Sequence, residues 1–259
     1  MKVKFRLIVS ILSVLILSSC VDNVMSDAPD KDNPPTGSLM FHLHTYLEDQ
    51  EVDLYNIDYT LQSGKVVSLS LAQMYISEIQ LVRLDNTTFD IPLKKILKVF
   101  EAESYLAGNV PVGNYKTIRF KIGIDAATNA LEPKSTADSI VLNKSEMWFS
   151  QTAQPDGYVF MNVQGKIDTT SDNSGSKIPF CYKIGTNANY LQINMPDKPY
   201  TITKDQVFYQ HIYIDYTKLF TDVQLNVEAN LSVKTPLDNT SSIAQKIKSN
   251  MTTMFIYEN

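Results

Sequence analysis

From Gly37 onward the chain is written in short runs rich in Val, Ile, Tyr, Phe and Thr, separated by polar turn clusters. That punctuation confines it to a mostly β fold. The period is clearest in Leu39-Met-Phe-His-Leu-His44. Successive strand residues point to opposite faces, so Leu39, Phe41 and Leu43 share one face while Met40, His42 and His44 share the other.

Further strands are expected at Lys65–Leu71 and Met74–Leu84, then at Thr87–Ile91 after the turn Asp85-Asn86. The turn Val110-Pro-Val-Gly-Asn-Tyr115 should feed a strand over Lys116–Ile124, with Pro111 and Gly113 making the bend. Gly157–Gly165, Ile178–Ile184, Tyr190–Met195 and Val207–Asp215 read as strands, and Gln224–Val233 as a weaker one. Thr240-Ser-Ser242 can cap a helix, because Ile243, Ile247, Met251 and Met254 follow at helical spacing and form one apolar stripe. The expected fold is all-β, a two-sheet antiparallel β-sandwich with a short C-terminal α-helix.

The N-terminus sets an address. Lys2, Lys4 and Arg6 precede an apolar and small-residue run from Leu7 to Leu17, the layout of a secretory signal. A membrane-spanning helix needs about 20 apolar residues, and this run is shorter. It ends in Leu17-Ser18-Ser19-Cys20, which resembles the lipobox of bacterial lipoproteins and implies cleavage before Cys20 and lipid on its thiol. The acidic, proline-bearing stretch from Val21 to Thr36 reads as a tether. The expected organisation is therefore a signal peptide at 1–19, lipidated Cys20 and tether at 20–36, and one domain at 37–259 that includes a helix at about 240–254. Val21 is not the aspartate of an inner-membrane retention signal, so the outer membrane is the expected address, facing either the periplasm or the surface.

Without Lys2, Lys4 and Arg6 the 23 basic residues fall to 20 against 28 acidic ones, a formal charge of −8. That balance disfavours nucleic acid and charge-driven adhesion to anionic lipid, which need clustered basic residues. Hydrophobic residues at 44% allow a substantial core. With Cys20 taken by lipid, Cys181 has no partner for a disulfide, and its setting between Phe180 and Tyr182 suits a buried, inert thiol.

The chain has three histidines, His42, His44 and His211. Alternate strand residues project side by side about 7 Å apart, so His42 and His44 can converge on one ion. The same spacing equally suits two polar side chains on a solvated face. His211 lies in Tyr209-Gln-His-Ile-Tyr-Ile-Asp215, where Asp215 could orient an imidazole or His211 could serve a structural hydrogen bond. Met40 and Met147 offer thioethers for Cu(I), although methionine commonly fills core gaps. There is no nucleophile elbow, phosphate-cradling glycine loop, HExxH or Cys-x-x-Cys. The carboxylates Glu48-Asp49 and Glu101/Glu103 read as solvated charge.

The strands MYISEIQL, VPVGNYKTIRFKIGID, MW…GYVFMNVQG and PFCYKIG occur in an order that resembles the MbnP-like family, from about Leu39 to Phe220. The resemblance implies an exported, often lipid-anchored β-sandwich. It also implies copper bound by histidines and an oxidised tryptophan, beside a di-haem peroxidase-like partner. By position, the first-strand histidine corresponds to His42 or His44, and the tryptophan region to Met147-Trp148-Phe149. Where many relatives read Phe-x-Tyr-His, this chain has Phe180-Cys-Tyr-Lys183, and a protonated ammonium cannot ligate copper. The leading expectation is a binder, not an enzyme, that holds copper through His42 and His44 with a third ligand from His211 or Met147. The alternatives are a metal-free module whose loops near Thr169–Lys177 and Ala126–Asn143 contact a protein or glycan, and an unrecognised hydrolase.

Overall fold

The computed structural model describes residues 34–132, 139–150, 157–170, 172 and 177–258. The expected signal peptide, Cys20 and nearly all of the tether lie outside the described residues, as do Pro133, Asp138 and most of the polar loop after Thr170.

The strands are β1 (Thr36–Leu47), β2 (Gln50–Glu51), β3 (Tyr59–Thr60), β4 (Val66–Arg83), β5 (Thr88–Asp90), β6 (Lys95–Lys98), β7 (Ser104–Pro111) and β8 (Gly113–Ile122). They continue with β9 (Val159–Asp168), β10 (Lys177–Gly185), β11 (Leu191–Asn194), β12 (Tyr200–Ile202), β13 (Val207–Asp215), β14 (Ser232–Val233) and β15 (Phe255–Tyr257). They form a five-stranded sheet, ordered β15-β13-β1-β2 with β7 also on β1, and a ten-stranded sheet centred on β4. The β-sandwich expected from the punctuation is present, but its sheets are mixed. β1 pairs β13 in parallel, and β10 pairs β14 in parallel.

β1 carries the alternation read from its sequence, with every second residue buried. Leu39, Phe41 and Leu43 enter the core between the sheets, where Phe41, Leu43 and Ile212 face Ile76, Ile79 and Phe120. Burying one such side chain contributes about 1.5–3 kcal/mol. A one-residue slip of β1 would expose all three and bury the histidines, so the core fixes the face on which His42 and His44 stand.

β4 merges the two strands expected at Lys65–Leu71 and Met74–Leu84 into one of 18 residues. Its first half pairs β9 and its second half β8, with register shifts in both ladders. Glu78, at φ 46°, lies inside the second shift. Such an irregularity bends a long strand without ending it. The weak candidate at Gln224–Val233 is mostly not a strand: Glu228–Leu231 is a 3-10 turn and only Ser232–Val233 pairs.

The C-terminal helix runs Ser242–Met251, and the Ser241 hydroxyl accepts from Ala244 N at 3.2 Å. It buries Ala244, Ile247 and Met251. The chain then returns as β15 onto β13, pairing Tyr213 with Ile256.

Candidate metal centre

The parallel register of β1 and β13 sets His42 directly opposite His211, with His44 opposite Tyr213. All three histidines therefore occupy the outer face of the five-stranded sheet. One ring nitrogen from each lies within 4.8 Å of the others. The His42 and His211 ring centroids are 4.7 Å apart, and His44 stands 6.0 Å from each.

A carboxylate or hydroxyl backs each imidazole. His44 Nδ1 meets Glu51 Oε1 at 2.8 Å and Glu103 Oε2 at 3.6 Å. His211 Nδ1 meets Glu258 Oε2 at 3.2 Å. The Ser104 hydroxyl hydrogen-bonds His42 Nε2 at 3.0 Å. A carboxylate that accepts from Nδ1–H holds the tautomer whose lone pair is on Nε2. His44 Nε2 is buried and has no hydrogen-bond partner among the described residues. A buried, unpartnered acceptor is costly unless something binds it, so the donor set fits a cation. Burial, helped by the nearby His211 and His44, holds the His42 imidazole below its ordinary pKa, which keeps it neutral and able to ligate.

Three short segments deliver the supporting groups. A tight turn after β1, with Glu48 at φ 58°, brings Glu51 back beside His44. Asp215 holds that turn by accepting from Glu48 N at 3.0 Å, and it also accepts from Thr217 N and Oγ1. Asp215 is thus buried beneath the turn and does not face an imidazole, contrary to the expectation that it orients one. Glu103 immediately precedes β7, and its carbonyl accepts from Leu43 N at 2.9 Å. Lys98, fully buried, donates to the carbonyls of Val99 and Ala102 and fixes the chain just before Glu103. Glu258 follows β15, and its backbone N–H donates to the His211 carbonyl at 3.2 Å.

In the sequence Glu101/Glu103 read as solvated charge, and Glu51 and Glu258 carry no expected role. Glu51 carried a signal in the hairpin spacing around Glu48-Asp49. Glu103 and Glu258 arrive through non-local pairing that no local pattern announces.

Met147, expected as a possible third ligand, is set apart from the histidines. It is fully buried in a second cluster with Tyr75, Leu142, Trp148, Tyr158 and Phe160. That cluster covers the outer face of the ten-stranded sheet, because Met74 and Ile76, the neighbours of Tyr75, enter the central core. Trp148 is there too, donating from Nε1 to the Leu142 carbonyl at 2.9 Å. Lys183 lies on β10 opposite Asn162, between the core residues Tyr182 and Ile184. It therefore also belongs to the ten-stranded sheet. Cys181 is half-buried on the same strand, and burial pushes its thiol pKa up.

None of the curated proteins compared with the chain matches it. Among solved structures, MbnP from Methylosinus trichosporium is similar, with a TM-score of 0.52 at 14% identity over 86% of this chain and 98% of that one. At that identity the likeness establishes the shared fold. The sequence profile of MbnP matches residues 36–240, most of the chain, and the chain accordingly belongs to the MbnP family.

Proposed function

We propose that this protein is a lipid-anchored binding protein of the bacterial cell envelope that holds copper through His42, His44 and His211. The observation that carries the reading is the convergence of the three imidazoles on one face, with His44 Nε2 buried and unpartnered. Imidazole suits copper, and a carboxylate behind a ligating histidine raises its basicity and fixes its tautomer. Family membership supports the choice of copper through the resemblance set out above. Bound copper would supply an electron-accepting, ligand-exchanging centre. The residues of this chain position it and keep competing side chains away. The protein is a binder rather than an enzyme. Its partners are the membrane, through lipid on Cys20, and a di-haem peroxidase-like protein, and its address is the outer membrane.

The test is a copper titration of the purified mature protein beside His42→Ala, His44→Ala and His211→Ala. The wild type should bind one ion per chain, and each variant should weaken binding at least about 100-fold, since each removes one of three ligands. Equal, weak binding in all four proteins would refute the reading.

A further inference from the structure

We infer that a cleft on the outer face of the ten-stranded sheet is a second binding site, which takes a small organic anion through Lys166, Lys183, Lys234 and Ser68. The cleft encloses about 440 Å³, within the size range of sites that hold small molecules. Strand register builds it. Lys166 of β9 stands between Ser68 of β4 and Pro179 of β10. Cys181 and Tyr182 of β10 pair with Ser232 and Val233 of β14, so Lys234 follows at the level of Lys183. Val67, Leu69, Phe180, Tyr182 and Ile184 enter the core, and the residues that alternate with them, Ser68, Cys181 and Lys183, face outward.

The charge there is opposite in sign to that of the chain, which has 28 acidic residues against 23 basic ones. Lys166 and Lys234 line the cleft, and Lys183 and Lys234 lie close enough to act on the Cys181 thiol. None of the three ammonium groups makes an ion pair or side-chain hydrogen bond among the described residues. Asp238, which Lys234 also influences, is engaged by the backbone N–H groups of Lys234 and Thr235 at 2.9 Å each. Glu228 is the one carboxylate among the described lining residues, so a net positive field remains. Lysine meets a carboxylate or phosphate as a point charge. Ser68 points to a ligand independently. It is only 6% exposed and lines the cleft, yet its hydroxyl has no hydrogen-bond partner among the described residues. Burying an unpaired hydroxyl is costly, and an anionic oxygen entering the cleft would accept from it. The exposed side chains of Ile178 and Pro179 give the carbon skeleton an apolar wall.

The experiment titrates the ¹⁵N-labelled mature protein at low ionic strength with succinate, with inorganic phosphate and with neutral succinamide, and follows the backbone amide shifts. Succinate or phosphate should give saturable shifts at Ser68, Lys166 and Cys181, and the tighter of the two identifies the anionic group. The double variant Lys166→Gln/Lys234→Gln should bind about tenfold more weakly, since both ammonium groups are exposed and partly screened. Lys94→Gln, outside the cleft, should bind like the wild type. Unchanged amide spectra away from the cleft check that the variants keep the fold. No saturable shift at the three residues with either anion would overturn the inference. An equal response to succinamide, an unchanged affinity in the double variant, or equal weakening by Lys94→Gln would overturn it as well.

Discussion

At the scale of single residues, the site depends on groups that are costly to place where they are. Lys98 is the clearest case, since its ammonium is fully buried and its pKa is pulled down from 10.5 to about 8 by burial. Below pH 8 both folded and unfolded chains carry the proton, and the cost of burying the charge is fully present. Between about pH 8 and 10.5 the folded chain has released the proton while the unfolded chain still holds it, so stability rises with pH. The rise should amount to about 3 kcal/mol at most, at 1.36 kcal/mol for each unit of pKa difference. Urea unfolding of the wild type should show it between pH 8 and 10, and Lys98→Met should lack it. A wild-type curve that is flat over that window would show that the ammonium is solvated. His42 has the same sign at a lower pH: its depressed pKa removes stability from the metal-free protein as pH falls below 6.5.

At the scale of elements, two strands carry the centre and short edge segments tune it. β1 was legible because its alternation is strict, and that alternation alone put His42 and His44 on one face. Its partner was not legible. A parallel pairing of His42 with His211, far apart in the chain, leaves no trace in the local pattern of either strand. β2, two residues long, and the residues flanking β7 and β15 are too short or irregular to show a period, which is why their glutamates were missed. The long β4 was read as two strands because its ladder shifts register near Leu69 and again near Glu78. Gly165 on β9 shows how closely that first shift is packed. A Cβ there would meet the Ser68 carbonyl oxygen at 2.1 Å and the Phe180 ring at 2.9 Å. Gly165→Ala should therefore lower stability by about 1–3 kcal/mol, measured by thermal or denaturant unfolding. A change within error would mean that the β4–β9 crossing relaxes freely.

At the scale of the whole molecule, the two outer faces of the sandwich are chemically distinct. The five-stranded sheet presents the three histidines and their carboxylates. The ten-stranded sheet carries the apolar cluster of Trp148 and Met147, with Lys183 and Cys181 on its strand β10. Fold class and family order were legible in the sequence because the strand runs and their succession are local. The division of candidate ligands between the faces was not, because it follows from which strand joins which sheet. His211 and Met147 are alternative third ligands by residue type, and topology separates them: His211 stands beside His42, whereas Met147 packs in the cluster on the ten-stranded sheet. Lys183 stands on the other sheet from the candidate centre, whose three imidazoles all come from β1 and β13. The most direct test is a crystal structure of the copper-loaded mature protein with anomalous data at the copper edge. The expected result is a single strong peak within bonding distance of His42, His44 and His211. A peak at Met147 and Trp148, or none at the three histidines in protein shown to contain copper, would contradict it.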